Sequence, residues 1–219
     1  MQEAYGKGTG VKMGELEIRC VRVGMIQTNC YIVYDKEIRK ALIVDPGDDA
    51  DYIAQCIKKI EVSVEAVLLT HGHGDHFKGL EGIKETYQVP VYIPAEDARR
   101  LRYQGGFVEA SYEIQPDDVL VHDHDHLSLA GMEIDVIHTP GHTEGGTCYY
   151  FPEHGILLSG DTLFRHSWGR TDFEGGDEAQ LFRSIREKLL PLPEETVVLP
   201  GHEGTTTIRE ERMVHGYKA

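Results

Sequence analysis

Residues 71–76 read His-Gly-His-Gly-Asp-His, so four side chains able to bind a metal fall within six positions. Imidazole nitrogen suits zinc, iron and copper, and a carboxylate suits harder cations and can bridge two of them. Gly72 and Gly74 are expected to let the backbone bend so that the alternate side chains converge. For the hexapeptide by itself, a solvated polar loop is the plain alternative. Three further sites count against it. His142 follows Val136-Ile137-His138-Thr139-Pro140-Gly141, Asp161 follows Leu157-Leu158-Ser159-Gly160, and His202 follows Val197-Val198-Leu199-Pro200-Gly201. Each places a metal-capable residue beside a glycine at the end of an apolar run. One such corner could be a turn. Three of them, together with the hexapeptide, point to a shared centre at one edge of a sheet.

The elements that must hold these residues are legible as periodic segments. Strands are expected at 16–23, 30–34, 41–44 and 64–70, the last ending at His71. A helix capped by Asp48 or Asp49 should run to about residue 60, after the Asp45-Pro46-Gly47 turn. Helices follow at 80–87 and 95–103, around a short strand at 91–93. The second half begins again with strands at 119–121, 127–129, 133–138, 147–151 and 156–158. A helix at 177–189 and a strand at 196–199 complete it. Strands first and helices later in each half predict an α/β fold of two packed sheets with helices outside. The strict alternation of a doubly wound sheet is missing, and no Gly-x-Gly-x-x-Gly follows a strand.

Composition sets the bounds. The 219 residues are 40 % apolar and 27 % charged, as in a globular protein with a real core. A net charge of −15 weighs against a nucleic-acid partner, which wants a basic face. Cys20, Cys30, Cys56 and Cys148 form no C-x-x-C pair and sit in or beside apolar segments, so they read as small buried hydrophobes in a reducing, cytoplasmic setting. No apolar run reaches the length of a signal peptide or the roughly 20 residues of a membrane span. The expected organisation is a flexible leader at 1–15 and a single domain at 16–219.

The pattern HxHxDH, then a lone His, a lone Asp and a last His, resembles the metallo-β-lactamase superfamily, with all seven positions filled in order from about residue 16 to 208. Within it, the segments Thr28-Asn29-Cys30-Tyr31, Gly160-Asp161-Thr162-Leu163-Phe164 and Gly169-Arg170-Thr171-Asp172-Phe173 are similar to short, single-domain glyoxalase II-like (hydroxyacylglutathione hydrolase-like) enzymes. So is Pro200-Gly201-His202 with its following threonines. The resemblance implies a four-layer αββα sandwich with two divalent metals at one edge. His71, His73 and His142 would hold the first metal, and Asp75, His76 and His202 the second, with Asp161 bridging both. Zinc is the default, and iron or manganese could substitute. The implied reaction is hydrolysis of a small-molecule thioester such as S-lactoylglutathione through a metal-bridging hydroxide, which Asp75 would orient.

The same fold also serves persulfide dioxygenases, whose single iron would here sit on His71, His142 and Asp161, and lactonases. The threonines after His202 favour the hydrolase over the first, and the 162–173 segment over the second. Longer glyoxalase II enzymes carry a C-terminal helical domain that helps bind glutathione, and this sequence offers no counterpart, which puts glutathione recognition in question. The tail after Arg209 fits no part of the pattern.

Several residues are set aside. His122-Asp123-His124-Asp125-His126 alternates histidine with aspartate, but it lies in a polar connection between short strands and reads as a solvated turn. His138 should be packed or hydrogen-bonded, and His154 and His215 exposed. Arg170 has two open readings: contact with a substrate carboxylate, or ordering of its own loop with Asp172.

Overall fold

The computed structural model describes residues 10–13, 16–102 and 108–217. The first half comprises β1 (Gly10–Met13), β2 (Leu16–Val23), β3 (Thr28–Asp35) and β4 (Lys40–Val44), then α1 (Ala50–Ile60) and β5 (Ser63–Leu68). It continues with α2 (Gly74–Phe77), α3 (Leu80–Tyr87), β6 (Val91–Pro94), a 3-10 helix at Ala95–Arg102, and β7 (Val119–Val121). The second half holds β8 (His126–Leu129), β9 (Met132–His138), β10 (Thr147–Phe151), β11 (Ile156–Gly160) and a small hairpin of β12 (Leu163–Phe164) with β13 (Ser167–Trp168). After it come α4 (Glu178–Ser184), a π-helical turn at Ile185–Leu189, β14 (Val197–Pro200), β15 (Thr206–Thr207) and α5 (Ile208–Val214).

Strands β1 to β7 form one sheet in sequence order, and the other sheet runs β15-β14-β11-β10-β9-β8. Side chains alternate across a strand, so a sheet covered on both faces needs apolar residues at successive positions. β4 does this: Ala41 and Ile43 pack towards the helical layer of α1 and α3, while Leu42 and Val44 face the other sheet. In β10, Tyr149 and Phe151 meet them from the second sheet, and Cys148 and Tyr150 point outward to Leu181 and Ile185. Three apolar layers thus separate four structural layers, which is the expected αββα sandwich.

The topology sends the strand ends to one place. β9 and β11 are each antiparallel to β10, and β11 is parallel to β14, so β9, β11 and β14 run the same way. His142, Asp161 and His202 all follow their carboxyl ends.

Local differences from the expectations have physical causes. Asp49 precedes α1 in a left-handed conformation without a side-chain cap, and Asp48 instead pairs with Lys78. The helix expected at 177–189 begins after Asp177, whose side chain accepts from the Gln180 N–H, and widens into the π-helical turn. The tail after Arg209 is α5, capped by Thr207 accepting from the Glu210 N–H. Within the stretch expected as a leader, Gly10–Met13 is a strand paired with β2, while residues 1–9, 14 and 15 lie outside the described residues. Among the described residues no helix is long and apolar enough to cross a membrane.

Candidate metal centre

β5 delivers His71 to the sheet edge, and the chain then turns through His73 into α2, which carries Asp75 and His76. Neither Gly72 nor Gly74 takes a positive φ, so bending is not their role. They allow close approach instead: a Cβ on Gly72 would lie 2.7 Å from the Arg100 Cβ, and one on Gly74 would lie 2.1 Å from the Val108 carbonyl oxygen. Gly201 serves His202 in the same way, since a Cβ there would sit 2.3 Å from Asp161 Oδ1.

All seven expected residues meet at this edge, in two sets. In the first, His73 Nδ1 lies 3.1 Å from His71 Nε2 and 2.9 Å from His142 Nε2. In the second, His76 Nε2 is 3.3 Å from His202 Nε2, which is 3.2 Å from Asp75 Oδ2. Asp161 stands between them, with Oδ1 3.4 Å from His76 Nε2 and Oδ2 3.5 Å from His142 Nε2 and 3.6 Å from His202 Nε2. Ligands about 2.0–2.1 Å from a common tetrahedral ion are about 3.3 Å apart, so these spacings suit cations.

The tautomers point the same way. Asp45, buried and in a left-handed conformation, accepts from His76 Nδ1 at 2.9 Å and from the Thr70 hydroxyl at 2.7 Å through one oxygen. Its other oxygen accepts from the Thr70 N–H. With its proton given to Asp45, the Thr70 hydroxyl accepts from His71 Nδ1 at 3.1 Å. His142 Nδ1 donates to the Arg170 carbonyl at 2.6 Å. Each of these contacts holds a ring proton on Nδ1, so that in the neutral imidazole the Nε2 lone pair is the one turned inward. One carboxylate orients a ligand of each set.

Electrostatics leave an unmet demand for positive charge. Burial, then the neighbouring imidazoles, push His71 well below its ordinary value and His73 down to about 3, so both are neutral. Burial would raise Asp161, but His76 and His142 hold it below the usual carboxylate range. Burial likewise opposes the ionisation of Asp75, and His76 and His202 overcome it. His76 is pulled upward, against burial, by Asp161, Asp75 and Asp45. Asp161 Oδ1 is buried without a hydrogen-bond partner. Converging lone pairs, ionised carboxylates and an orphaned oxygen fit a pair of divalent cations.

Further residues brace the centre, and the first of them, Asp97, has no sequence signal of its own. Asp97, fully buried in the 3-10 helix, accepts from the Gly72 N–H through one oxygen and the Gly145 N–H through the other, both at 2.8 Å. It clamps the loops of His71 and His142 together. Asn29 and Tyr31 donate to the Pro200 carbonyl at 2.9 and 2.7 Å, and the Asn29 N–H to the Gly201 carbonyl at 2.7 Å, holding the His202 corner. Thr28 donates to Asp75 Oδ2. These contacts account for the Thr28-Asn29-Cys30-Tyr31 segment. Arg170 forms a two-pronged pair with Asp172 and lies 3.9 Å over the Phe173 ring, so it orders its own loop. The Phe173 ring meets His73 edge-on at 5.8 Å.

His138 is hydrogen-bonded, to the Glu144 carbonyl at 2.9 Å. His154 is half-buried rather than exposed. The His215 side chain is only 6 % exposed, because α5 folds it against Glu211 and Trp168.

The sequence model of the metallo-beta-lactamase superfamily matches residues 23–202. A probable metallo-hydrolase of Bacillus subtilis, YqgX, is 36 % identical over 89 % of this chain and 93 % of its own. The hydroxyacylglutathione hydrolase GloC of Haemophilus influenzae is 32 % identical over 90 % of this chain and 95 % of its own. Among solved structures, the BLEG-1 B3 metallo-beta-lactamase aligns with a TM-score of 0.80 and 36 % identity, covering 90 % of this chain and 96 % of that one. TTHA1623, solved in a di-iron-bound form, aligns at 0.77 and 32 %, covering 89 % and 97 %.

Proposed function

The chain belongs to the metallo-beta-lactamase superfamily, and we propose that it is a two-metal hydrolase of small thioesters, of which S-lactoylglutathione is the first to test. The observation that carries this reading is the second set, Asp75, His76 and His202, complete and braced beside the first. Dioxygenases of this fold share the HxHxDH segment, so it is His202, closing the second set from outside that segment, that a single iron on His71, His142 and Asp161 would leave without a ligand role. His71, His73 and His142 would hold one cation, Asp75, His76 and His202 the other, and Asp161 both. Zinc suits the imidazole-rich donors, and iron or manganese can replace it.

The chemistry such a metal pair supplies is a water made nucleophilic near neutral pH and a polarised carbonyl. The protein's own groups do the rest. Asp75, ionised and fixed by the Thr28 hydroxyl, is placed to accept a hydrogen bond from water and orient it. Phe173 and Phe164, edge-on to His73 and His202, line the edge with apolar surface for an acyl group. A thiolate leaves without a strong general acid, since a free thiol has a pKa of about 8.5. The likeness to GloC extends over 95 % of that protein, which supports a glutathione thioester as substrate.

The test is metal content per chain, on protein purified without chelator or added metal, paired with S-lactoylglutathione hydrolysis. Close to two metals with turnover is the expected result. One iron, no turnover and oxygen uptake with glutathione persulfide would overturn it in favour of a dioxygenase.

A further inference from the structure

A second cluster of metal-capable groups, sharing no residue with the first, joins the β12–β13 hairpin to α5. The hairpin turns through His166, in a left-handed conformation. Its backbone N–H donates to both oxygens of Glu211, at 3.0 and 3.2 Å, and its ring Nε2 lies 3.9 Å from Glu210 Oε2. The Thr206 hydroxyl is 3.0 Å from Glu210 Oε2 and 2.6 Å from Glu211 Oε1. A hydroxyl has one proton, so it can satisfy only one of these carboxylates. Donor atoms of His166, Glu210 and Glu211 all lie within 4.8 Å of one another.

His215 supplies an independent sign. It lies four residues beyond Glu211, with its side chain 94 % buried, and its Nε2 has no hydrogen-bond partner. That nitrogen faces Glu211 Oε2 at 3.6 Å. Burying an imidazole nitrogen without a hydrogen bond is costly, and two adjacent carboxylates drawn together repel. One cation between them would relieve both.

We propose that His166, Glu210, Glu211 and His215 form a further metal site for a first-row divalent cation, with zinc the best match to two imidazoles and two carboxylates. Four protein ligands leave no open position, so the ion is structural. It ties α5 to the hairpin, and the chain leaving that hairpin runs through Arg170 and Phe173 past His142 and His73. His166 and Glu210 are exposed, so their longer spacing can close around an ion at little cost.

The test compares the full wild-type chain with H166Q/E210Q, which alters only exposed side chains. Both are loaded with excess Zn2+, passed into low-metal buffer and assayed for zinc. The wild type should hold one more ion per chain than the variant, and zinc should raise its Tm further, with thioester turnover equal in the two. Equal zinc in both proteins overturns the proposal. So does a wild-type surplus over the catalytic pair that survives in H166Q/E210Q, which would place the extra ion elsewhere. In H215Q, zinc affinity at this site should fall at least tenfold. An unchanged affinity would show that His215 is only a charge partner for Glu211 and would overturn the four-ligand set.

Discussion

Residues 71–76 and residues 122–126 each gather three histidines with aspartate in a short stretch, one Asp in the first and two in the second, and lie in opposite surroundings. The first stretch starts at the buried end of β5, and its imidazole nitrogens face other imidazoles 2.9–3.1 Å away. The second closes an exposed turn in which each acid has its own donor. Asp125 accepts from the His122 N–H at 2.8 Å, and Asp123 accepts from the His138 N–H and from Lys188. His126 sits between Asp135 and Glu133, at 2.7 Å from each, with its ring more than half exposed. Composition alone therefore does not make a cation site. What sets residues 71–76 apart is lone pairs held towards one another where neither water nor a donor satisfies them.

The largest separation between the two stretches is expected from single ligand losses. An outer-shell partner of a metal ligand typically contributes about 10- to 100-fold, so removing a ligand itself should exceed that. His142→Ala is expected to lower kcat/KM by more than about 100-fold and to lose bound metal, whereas His124→Ala should change neither. Equal losses from the two would dissolve the comparison.

Next in size is Asp45. It fixes His76 directly and His71 through Thr70, so it acts on both sets at once. Asn tolerates the left-handed backbone at that position but offers one acceptor oxygen in place of two. Asp45→Asn should weaken metal binding about 10- to 100-fold in competition with a chromophoric chelator. A change confined to thermal stability would mean that Asp45 supports the fold and not the ligands.

Acid titration of chelator-stripped protein separates the stretches by sign. His73 is held at about 3 in the fold, against about 6.5 unfolded, so between those values only the unfolded chain gains its proton. Its contribution is complete above pH 6.5 and is lost as pH falls towards 3. His71 acts in the same direction. His126 is raised by Asp135 and Glu133, so its contribution is complete below pH 6.5 and is lost as pH rises through its higher folded value. Chemical denaturation from pH 6.5 to 4 should show a stability slope of order 1 kcal/mol per pH unit that His73→Gln reduces, leaving the His71 share, and that His126→Gln leaves alone. A slope untouched by His73→Gln would remove that imidazole from the buried set.

These differences also explain what was readable beforehand. His71, His142, Asp161 and His202 each end an apolar strand beside glycine, and the parallel run of β9, β11 and β14 makes the last three ends coincide. The two-sheet core was readable because Leu42 and Ile43 can be neighbours in sequence only if both faces are covered. Asp97 was not readable. It sits in a polar 3-10 segment, and its partners are 25 and 48 residues away. Asn29 and Tyr31 stand out in the sequence only by resemblance, and their role is not legible there because they reach Pro200 across about 170 residues. His215 misled because a polar tail looks exposed until α5 folds its ring against Glu211.

The smallest effect belongs to a half-buried link of the exposed stretch, Asp123. Asp123 is less than one-third exposed, and it takes the His138 N–H on one oxygen and Lys188 on the other. Lys188 also donates to the His138 carbonyl at 2.7 Å, so it keeps a partner when the acid is removed. The main cost of Asp123→Ala is then one unsatisfied N–H at the end of β9, three residues before the Gly141-His142 corner. With the ion pair discounted for screening, the expected loss is about 1 kcal/mol, measured by denaturant titration at neutral pH. Asp123→Asn, which retains an acceptor for that N–H, should recover most of it. Metal content should be unchanged in both variants, because Asp123 braces a strand and touches no ligand. A loss of metal in Asp123→Ala but not in Asp123→Asn would show that the His138 N–H helps set the His142 corner, and would join the two stretches.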